Sequence, residues 1–350
     1  MNKLVFKLFH QSGIFLLLIV VTFLLSSCMP SITGRSAQIP NETSQYPEVY
    51  FCPADDCSKV FENHIKVANS TVHCALYDID LKNVINSLSS KSRNADVKVV
   101  IDNSNNSSQI KGNGLRMSTG GQLMHNKFCA IDNKIVLTGS FNPTYNDNNR
   151  NNNNVMVIYS KTLAGNYEDE FEELWNGEFG KGKAVKNQIM YVNDIEIENY
   201  FCPEDCSSEL SSSITKDSGL NKIIELIKNA KKSIQVASYT FSNEKIADEL
   251  IKARGRGVNV TIITESKQKN VQGSQYQRVK DFGLNIRLDG NKYNMHHKFM
   301  VVDGKIVETG SPNFTLAGFN KNDENMLIIH DKGISLKYLD EFNGVFDSGK

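Results

Sequence analysis

The chain has no surplus of charge: its 39 lysines and arginines are matched by 39 aspartates and glutamates. That balance argues against a general nucleic-acid binder, whose electrostatic footprint would show in the totals, although a local basic groove stays open. A bilayer-spanning apolar run is missing as well. The run at residues 14–25 is too short to cross a membrane comfortably as a mature helix. Nor does the sequence offer a convergent carboxylate cluster that would hold a hard metal ion.

What is present begins with a processing segment. Lys3 and Lys7 precede the apolar run, and Leu25-Ser26-Ser27-Cys28 closes it. This ending resembles the lipobox of bacterial lipoproteins, which implies cleavage before Cys28 and acylation of that cysteine. Residues 1–28 thus read as a lipoprotein signal peptide, and the polar, aperiodic residues 29–47 as a tether. The body is expected to be exported to the bacterial cell envelope and anchored at a membrane surface. Met29 supplies no retention signal of the aspartate kind. The residues that remain suffice for two ordinary cores.

The body repeats itself. Tyr50-Phe51-Cys52-Pro53 recurs as Tyr200-Phe201-Cys202-Pro203, at an offset of 150. Residues 71–77 match 233–239 at an offset of 162, and from His125/His296 onward the offset is a gapless 171. Within the second copy, Leu220, Ile223, Ile224 and Ile227 form a helical stripe over 219–232. Residues 234–241 read as a strand, 243–253 as a helix and 258–264 as a strand. The first copy follows with a helix at 81–88 and a strand at 97–101, and each copy closes on an aromatic helix, 167–175 and 338–346. The expected fold is α/β: two pseudo-twofold-related lobes, 48–190 and 198–350, each a mixed, largely parallel sheet flanked by helices.

His125-Asn126-Lys127 is followed by Asp132 and then by Gly139-Ser140-Phe141-Asn142; His296-His297-Lys298 is followed by Asp303 and then by Gly310-Ser311-Pro312-Asn313. Every spacing is the same in the two copies. Histidine and lysine two apart on a strand project from one face. A twofold axis would then gather two imidazoles and two ammonium groups, a set suited to a tetrahedral phosphate. His297, with no counterpart in the first copy, should point away from them.

This H-x-K-x4-D-x6-G-S-x-N pattern resembles that of the phospholipase D superfamily, over nearly all of the mature chain. The resemblance implies a metal-independent, cofactor-free phosphodiesterase in which one histidine attacks phosphorus and the other protonates the leaving alcohol. Lys127, Lys298, Asn142 and Asn313 would hold the phosphoryl oxygens, with the Ser140 and Ser311 hydroxyls near the site. Asp132 and Asp303 would brace the strand–turn. Glu324 in Asn322-Asp323-Glu324-Asn325 matches the family's acidic residue, whereas Asn153 stands at its place in the first lobe. Such a carboxylate orients an imidazole of the opposite lobe, so Glu324 is expected to support His125 as nucleophile, leaving His296 as acid/base. Both motifs lie on one chain, which suits a monomer.

Cysteine usage leaves alternatives open. Cys52/Cys57 and Cys202/Cys206 are close pairs at equivalent positions, and disulfides persist in an exported protein. Local pairs come first, ahead of cross-lobe pairing or a four-thiolate zinc. Cys74 and Cys129 align with Val236 and Met300 and read as small core hydrophobes. The asparagine-rich run 146–154 aligns without a gap with 317–325 and reads as a rim of the site; residues 111–114 and 266–277 are expected to shape its mouth. Compact lobes favour nucleic acid as substrate, with phospholipid head-group release second and an inactive phosphate-binding module third.

Overall fold

Short apolar runs bounded by polar turns become strands, and apolar residues three and four apart become helices. The computed structural model describes residues 38–105, 114–207 and 218–350. The signal peptide with Cys28 and residues 111–113 lie outside the described residues. Among the described residues, no helix is long and apolar enough to cross a membrane.

The strands in chain order are β1 (Asn41–Glu42), β2 (Glu48–Cys52), β3 (Thr71–Leu76), β4 (Asp96–Ile101), β5 (Leu115–Met117), β6 (Lys127–Ile131), β7 (Ile135–Gly139) and β8 (Asn153–Tyr159). The second half supplies β9 (Ile189–Val192), β10 (Ile195–Cys202), β11 (Ser233–Ser238), β12 (Asn259–Thr264), β13 (Asn285–Leu288), β14 (Lys298–Val302), β15 (Ile306–Gly310) and β16 (Glu324–His330). One sheet runs β2-β8-β7-β6-β3-β4-β5. The other repeats that order as β10-β16-β15-β14-β11-β12-β13 and adds β9 and β1 at its edge.

The sheets are mixed, but less parallel than the alternation of strands and helices suggests. In the first sheet, parallel pairing is confined to β3, β4 and β5. The remaining neighbours are antiparallel. Parallel neighbours need a crossover such as the Lys82–Lys91 helix, whereas β6 and β7 are joined by the tight turn 132–134, which only antiparallel strands accept. Two positive-φ residues, Asp132 and Asn133, make that turn.

The ends of two expected segments also move. Asn41 and Glu42, within the stretch read as a tether, pair with β9, and the Glu42 carboxylate accepts the Lys161 and Thr162 N–H groups at 2.8 and 2.7 Å. A carboxylate on a helix N-terminus satisfies orphan donors, which ties this segment to the body. The stretch between the lobes is a β-hairpin, β9–β10, turned by the positive-φ pair Asn193-Asp194.

Side chains from the facing sides of both sheets form one apolar cluster with the helices Lys161–Asn176 and Lys332–Asp347. Tyr167, Phe171, Tyr338 and Phe342 are its aromatic members, each buried. Truncating one such ring to alanine costs about 3–5 kcal/mol. Separate clusters fill the outer layer of each lobe. Disulfides join Cys52 to Cys57 and Cys202 to Cys206, each within its own lobe. A third joins Cys74 to Cys129, which corrects their reading as free core residues. They are directly opposed on β3 and β6, with Cα atoms 4.1 Å apart, as Val236 and Met300 are opposed in the other lobe.

Asp132 ends the first motif strand and braces the turn. Its carboxylate accepts the N–H groups of Asn69, Ser70 and Thr71 at 2.8, 2.6 and 3.0 Å. Asp303 does the same for Lys231, Lys232 and Ser233. Burial opposes ionisation of Asp132, but these donors outweigh it and hold its pKa at about 2. Since the folded-state value lies below the unfolded one, the stabilisation is present above about pH 4 and is lost as pH falls towards 2. Asp132→Ala should lower stability by about 1–3 kcal/mol and flatten that acid limb in denaturant titrations. Per folded molecule, activity should be unchanged, because Asp132 sits about 16 Å along the strand from Lys127.

Candidate active site

The two lobes meet where each histidine-bearing segment lies beside the asparagine-rich segment of the other. Isolated parallel bridges pair Met124 with Asp323 and Asn152 with Met295. The His125 N–H donates to Asp323 O, and the His296 N–H to Asn152 O, both at 2.9 Å. The run 146–154 is accordingly ordered, as the helix Tyr145–Asn149, the bridge at Asn152 and the start of β8.

Behind each ring stands a residue of the opposite lobe. His125 Nδ1–H donates to Glu324 Oε2 at 2.8 Å, and His296 Nδ1–H donates to Asn153 Oδ1 at 2.8 Å. Donation from Nδ1 leaves both Nε2 atoms available for chemistry. Glu324 and Asn153 are themselves fully buried. The serine hydroxyls serve this layer: Ser140 Oγ donates to Asn153 Oδ1 at 3.0 Å, and Ser311 lies in hydrogen-bonding contact with Glu324. Gly139 and Gly310 precede them because a Cβ would strike the Asn154 or Asn325 carbonyl oxygen at 2.4 or 2.2 Å. Thus these glycines admit the neighbouring strand.

Lys127 and Lys298 are buried, and each Nζ donates to the carbonyl of the histidine two residues earlier, at 2.7 and 2.8 Å. Their ammonium groups lie over Tyr77 and Tyr239, 5.1 and 5.2 Å from the ring centroids. The same tyrosines meet the His125 and His296 rings edge-on at 4.8 Å. Asn142 is buried with its Nδ2 donating to Asp147 at 2.8 Å, while Asn313 is half-buried. His297 turns away, as expected, and its Nε2 pairs with Glu341 at 2.8 Å.

Several contributors escape a reading of the motifs. Tyr77 and Tyr239 lie in the repeated strand segments, but nothing in their spacing to the histidines marks them. Asp102 and Glu265 are fully buried just after β4 and β12, and they accept the Met124 and Met295 N–H groups at 2.8 and 2.7 Å. An acidic residue directly after the same strand in both copies was the available signal. As for metal-type ligands, Glu196, Glu198 and His330 stand together among the described residues. They lie at the end of β10 and β16 remote from Glu324, and Lys222 Nζ reaches Glu198 at 3.5 Å.

The electrostatics follow from gathering basic groups out of water. Burial, then the neighbouring Lys298 and Lys127, push His296 well below its usual range. Burial also lowers His125; Glu324 opposes this and Lys127 adds to it. Lys127 is depressed by burial to about 8, with Glu324 and Asp147 holding it up, and Lys298 is lowered further by burial and by Lys127. Such a pocket gains protons when an anion enters. Sulfate, which does not titrate here, should bind more tightly as pH falls from 9 to 7, by up to about tenfold per unit for each proton taken up. Calorimetric dissociation constants that do not change with pH would contradict this.

Comparisons with known proteins bear on the family and the fold. The family described as "Cardiolipin synthase, PLD-like domain" matches residues 61–175 and 223–346, one stretch in each half. A Xenopus tropicalis protein named mitochondrial cardiolipin hydrolase is 36% identical over 126 residues, spanning 36% of this chain and 60% of that protein. A Rickettsia typhi protein named phospholipase D is 30% identical over 158 residues, spanning 45% of this chain and 78% of its own length. The solved phosphatidylserine synthase of Haemophilus influenzae is alike in fold, with a TM-score of 0.65 at 15% identity over 86% of this chain and 87% of that one.

Proposed function

Since the chain belongs to the phospholipase D superfamily, we propose that it hydrolyses phosphodiesters through a phosphohistidine at His125, with phospholipid as substrate. The observation that carries the reading is the convergence of both histidine–lysine motifs on one buried, basic pocket.

His125 is suited to attack. Burial and nearby lysines keep its ring neutral, and Glu324 fixes the proton on Nδ1, so the Nε2 lone pair is free. As Nε2 bonds to phosphorus, the bond to the leaving oxygen breaks and His296 Nε2–H gives that oxygen its proton. His296 gains this proton only when the phosphate's negative charge offsets the two lysines. Water then loses a proton to His296 Nε2 and attacks phosphorus, and cleavage of the P–N bond releases the phosphate monoester. Lys127, Lys298, Asn142 and Asn313 would stabilise the charge that develops on the equatorial oxygens.

Compactness alone favoured nucleic acid; the rim of the site favours lipid. Tyr145 and Leu316, each three residues past a motif asparagine, are 53% and 57% exposed, and Leu123 and Tyr293 beside the histidine segments are 38% and 37% exposed. Exposed apolar and aromatic side chains a few residues from the motif residues suit an acyl-chain surface better than a phosphate backbone. The names of the relatives point the same way, and acylation at Cys28 would hold the pocket where such substrate is abundant.

The test offers cardiolipin or phosphatidylcholine vesicles, plasmid DNA and RNA to the purified protein with a chelator present. Head-group release with intact nucleic acid is expected; nicking without lipid turnover would reverse the substrate assignment. His296→Asn should lower turnover by about 10²–10⁴-fold and leave a phosphoryl adduct on His125 in peptide mass spectra. An adduct on His296 in the His125→Asn protein would interchange their roles.

A further inference from the structure

The two lobes differ at two linked positions behind the rings. Where the second lobe has Glu324, the first has Asn153; where the first has Asp147, the second has Gly318. A side chain at Gly318 is excluded, because its Cβ would meet the Asn313 carbonyl oxygen at 2.4 Å. Asp147 is buried, and its Oδ2 lies 3.6 Å from His296 Nδ1, the same nitrogen that donates to Asn153. The carboxylate is fixed there by three donors, and its backbone by a fourth hydrogen bond. Oδ2 accepts the Asn142 N–H and Nδ2 at 2.9 and 2.8 Å, Oδ1 accepts Asn151 Nδ2 at 2.7 Å, and its own N–H donates to Thr144 Oγ1 at 3.2 Å. The first three hold the carboxylate and the last holds its backbone.

We propose that Asp147 is the positioning carboxylate of His296, standing in for the one that Asn153 does not provide. Each histidine then has one carboxylate from the opposite lobe, delivered from positions six residues apart in the repeat. Asn153 Oδ1 sets the tautomer and Asp147 supplies the charge that steadies the imidazolium. Other groups acting on His296 are basic or aromatic: Lys298 on its own segment, Lys127 and His125 across the axis, the outward-turned His297 at longer range, and Tyr239 against the ring. Asp147 is thus the nearby counter-charge to a ring crowded by basic groups.

The role in catalysis rests on the reaction proposed above, so the test has one arm that needs no substrate. In the full-length protein, the His296 ring signal, assigned by its loss in His296→Asn, is titrated by NMR. Asp147→Asn should lower its midpoint by about one pH unit or more. With a phosphodiester substrate, the alkaline limb of kcat/KM should move to lower pH by a similar amount, because the acid loses its proton sooner. Turnover should fall roughly 10–100-fold. The double variant Asp147→Asn/Asn153→Glu, which returns a carboxylate to the ring from the other position, should restore both midpoint and limb. An unchanged His296 midpoint in Asp147→Asn, or a double variant that keeps the single variant's profile, would overturn the proposal. If the native protein turned over no diester while the midpoint still moved, the reaction assignment would fail and the Asp147–His296 coupling would stand.

Discussion

Each histidine of the pocket is held by the half of the chain to which it does not belong. Glu324 reaches across to His125, and Asn153 and Asp147 reach across to His296. Backbone hydrogen bonds at Asp323 and Asn152 fix the same junction. A hydrogen bond to a charged group is worth about 1.5–3 kcal/mol, so these contacts alone would not bind two lobes. Burial of Tyr167, Phe171, Tyr338 and Phe342 between the sheets supplies the larger driving force. The polar contacts set the register within which that apolar layer closes. Asn325 Nδ2 donating to Thr138 at 2.6 Å, and Thr309 donating to Asn154 at 3.2 Å, continue the register behind the site.

The same closure explains the pocket's electrostatics. Two lysines and two histidines are brought together with water excluded, and their mutual repulsion is only partly offset by Glu324 and Asp147. In that state the groups resist protonation, and an entering phosphate would supply the missing negative charge. In the reaction proposed above, such a pocket would bind most strongly where charge accumulates, which is the condition for stabilising a transition state over a ground state. The tyrosine faces beneath the lysines add attraction without adding charge.

Much of this was legible in the chain because it is written twice. Identical spacing in the two copies singled out the histidines and lysines that the structure gathers, and the Glu324/Asn153 difference singled out the ring that receives a carboxylate directly. What escaped depends on contacts between residues that spacing does not relate. Cys74 and Cys129 look like core residues until β3 and β6 are known to be neighbours in register. The pairing within a sheet was hidden likewise, since alternating helices and strands report the crossovers but not the hairpins that follow them. Asp147 sits in an asparagine-rich run that reads as a rim of the site without marking any one residue of it, and its partner is 149 residues away in the sequence. Glu42 belonged to a polar stretch whose structured roles, pairing two residues with β9 and capping a helix, leave no periodic trace.

The most direct measurement is a crystal structure with vanadate in the pocket, a mimic of phosphorus under attack. Vanadium should sit within bonding distance of His125 Nε2, with His296 Nε2 on the opposite side within hydrogen-bonding reach of the apical oxygen. Vanadate bound elsewhere, or two imidazoles that do not face one another across it, would contradict a single site shared by both halves of the chain.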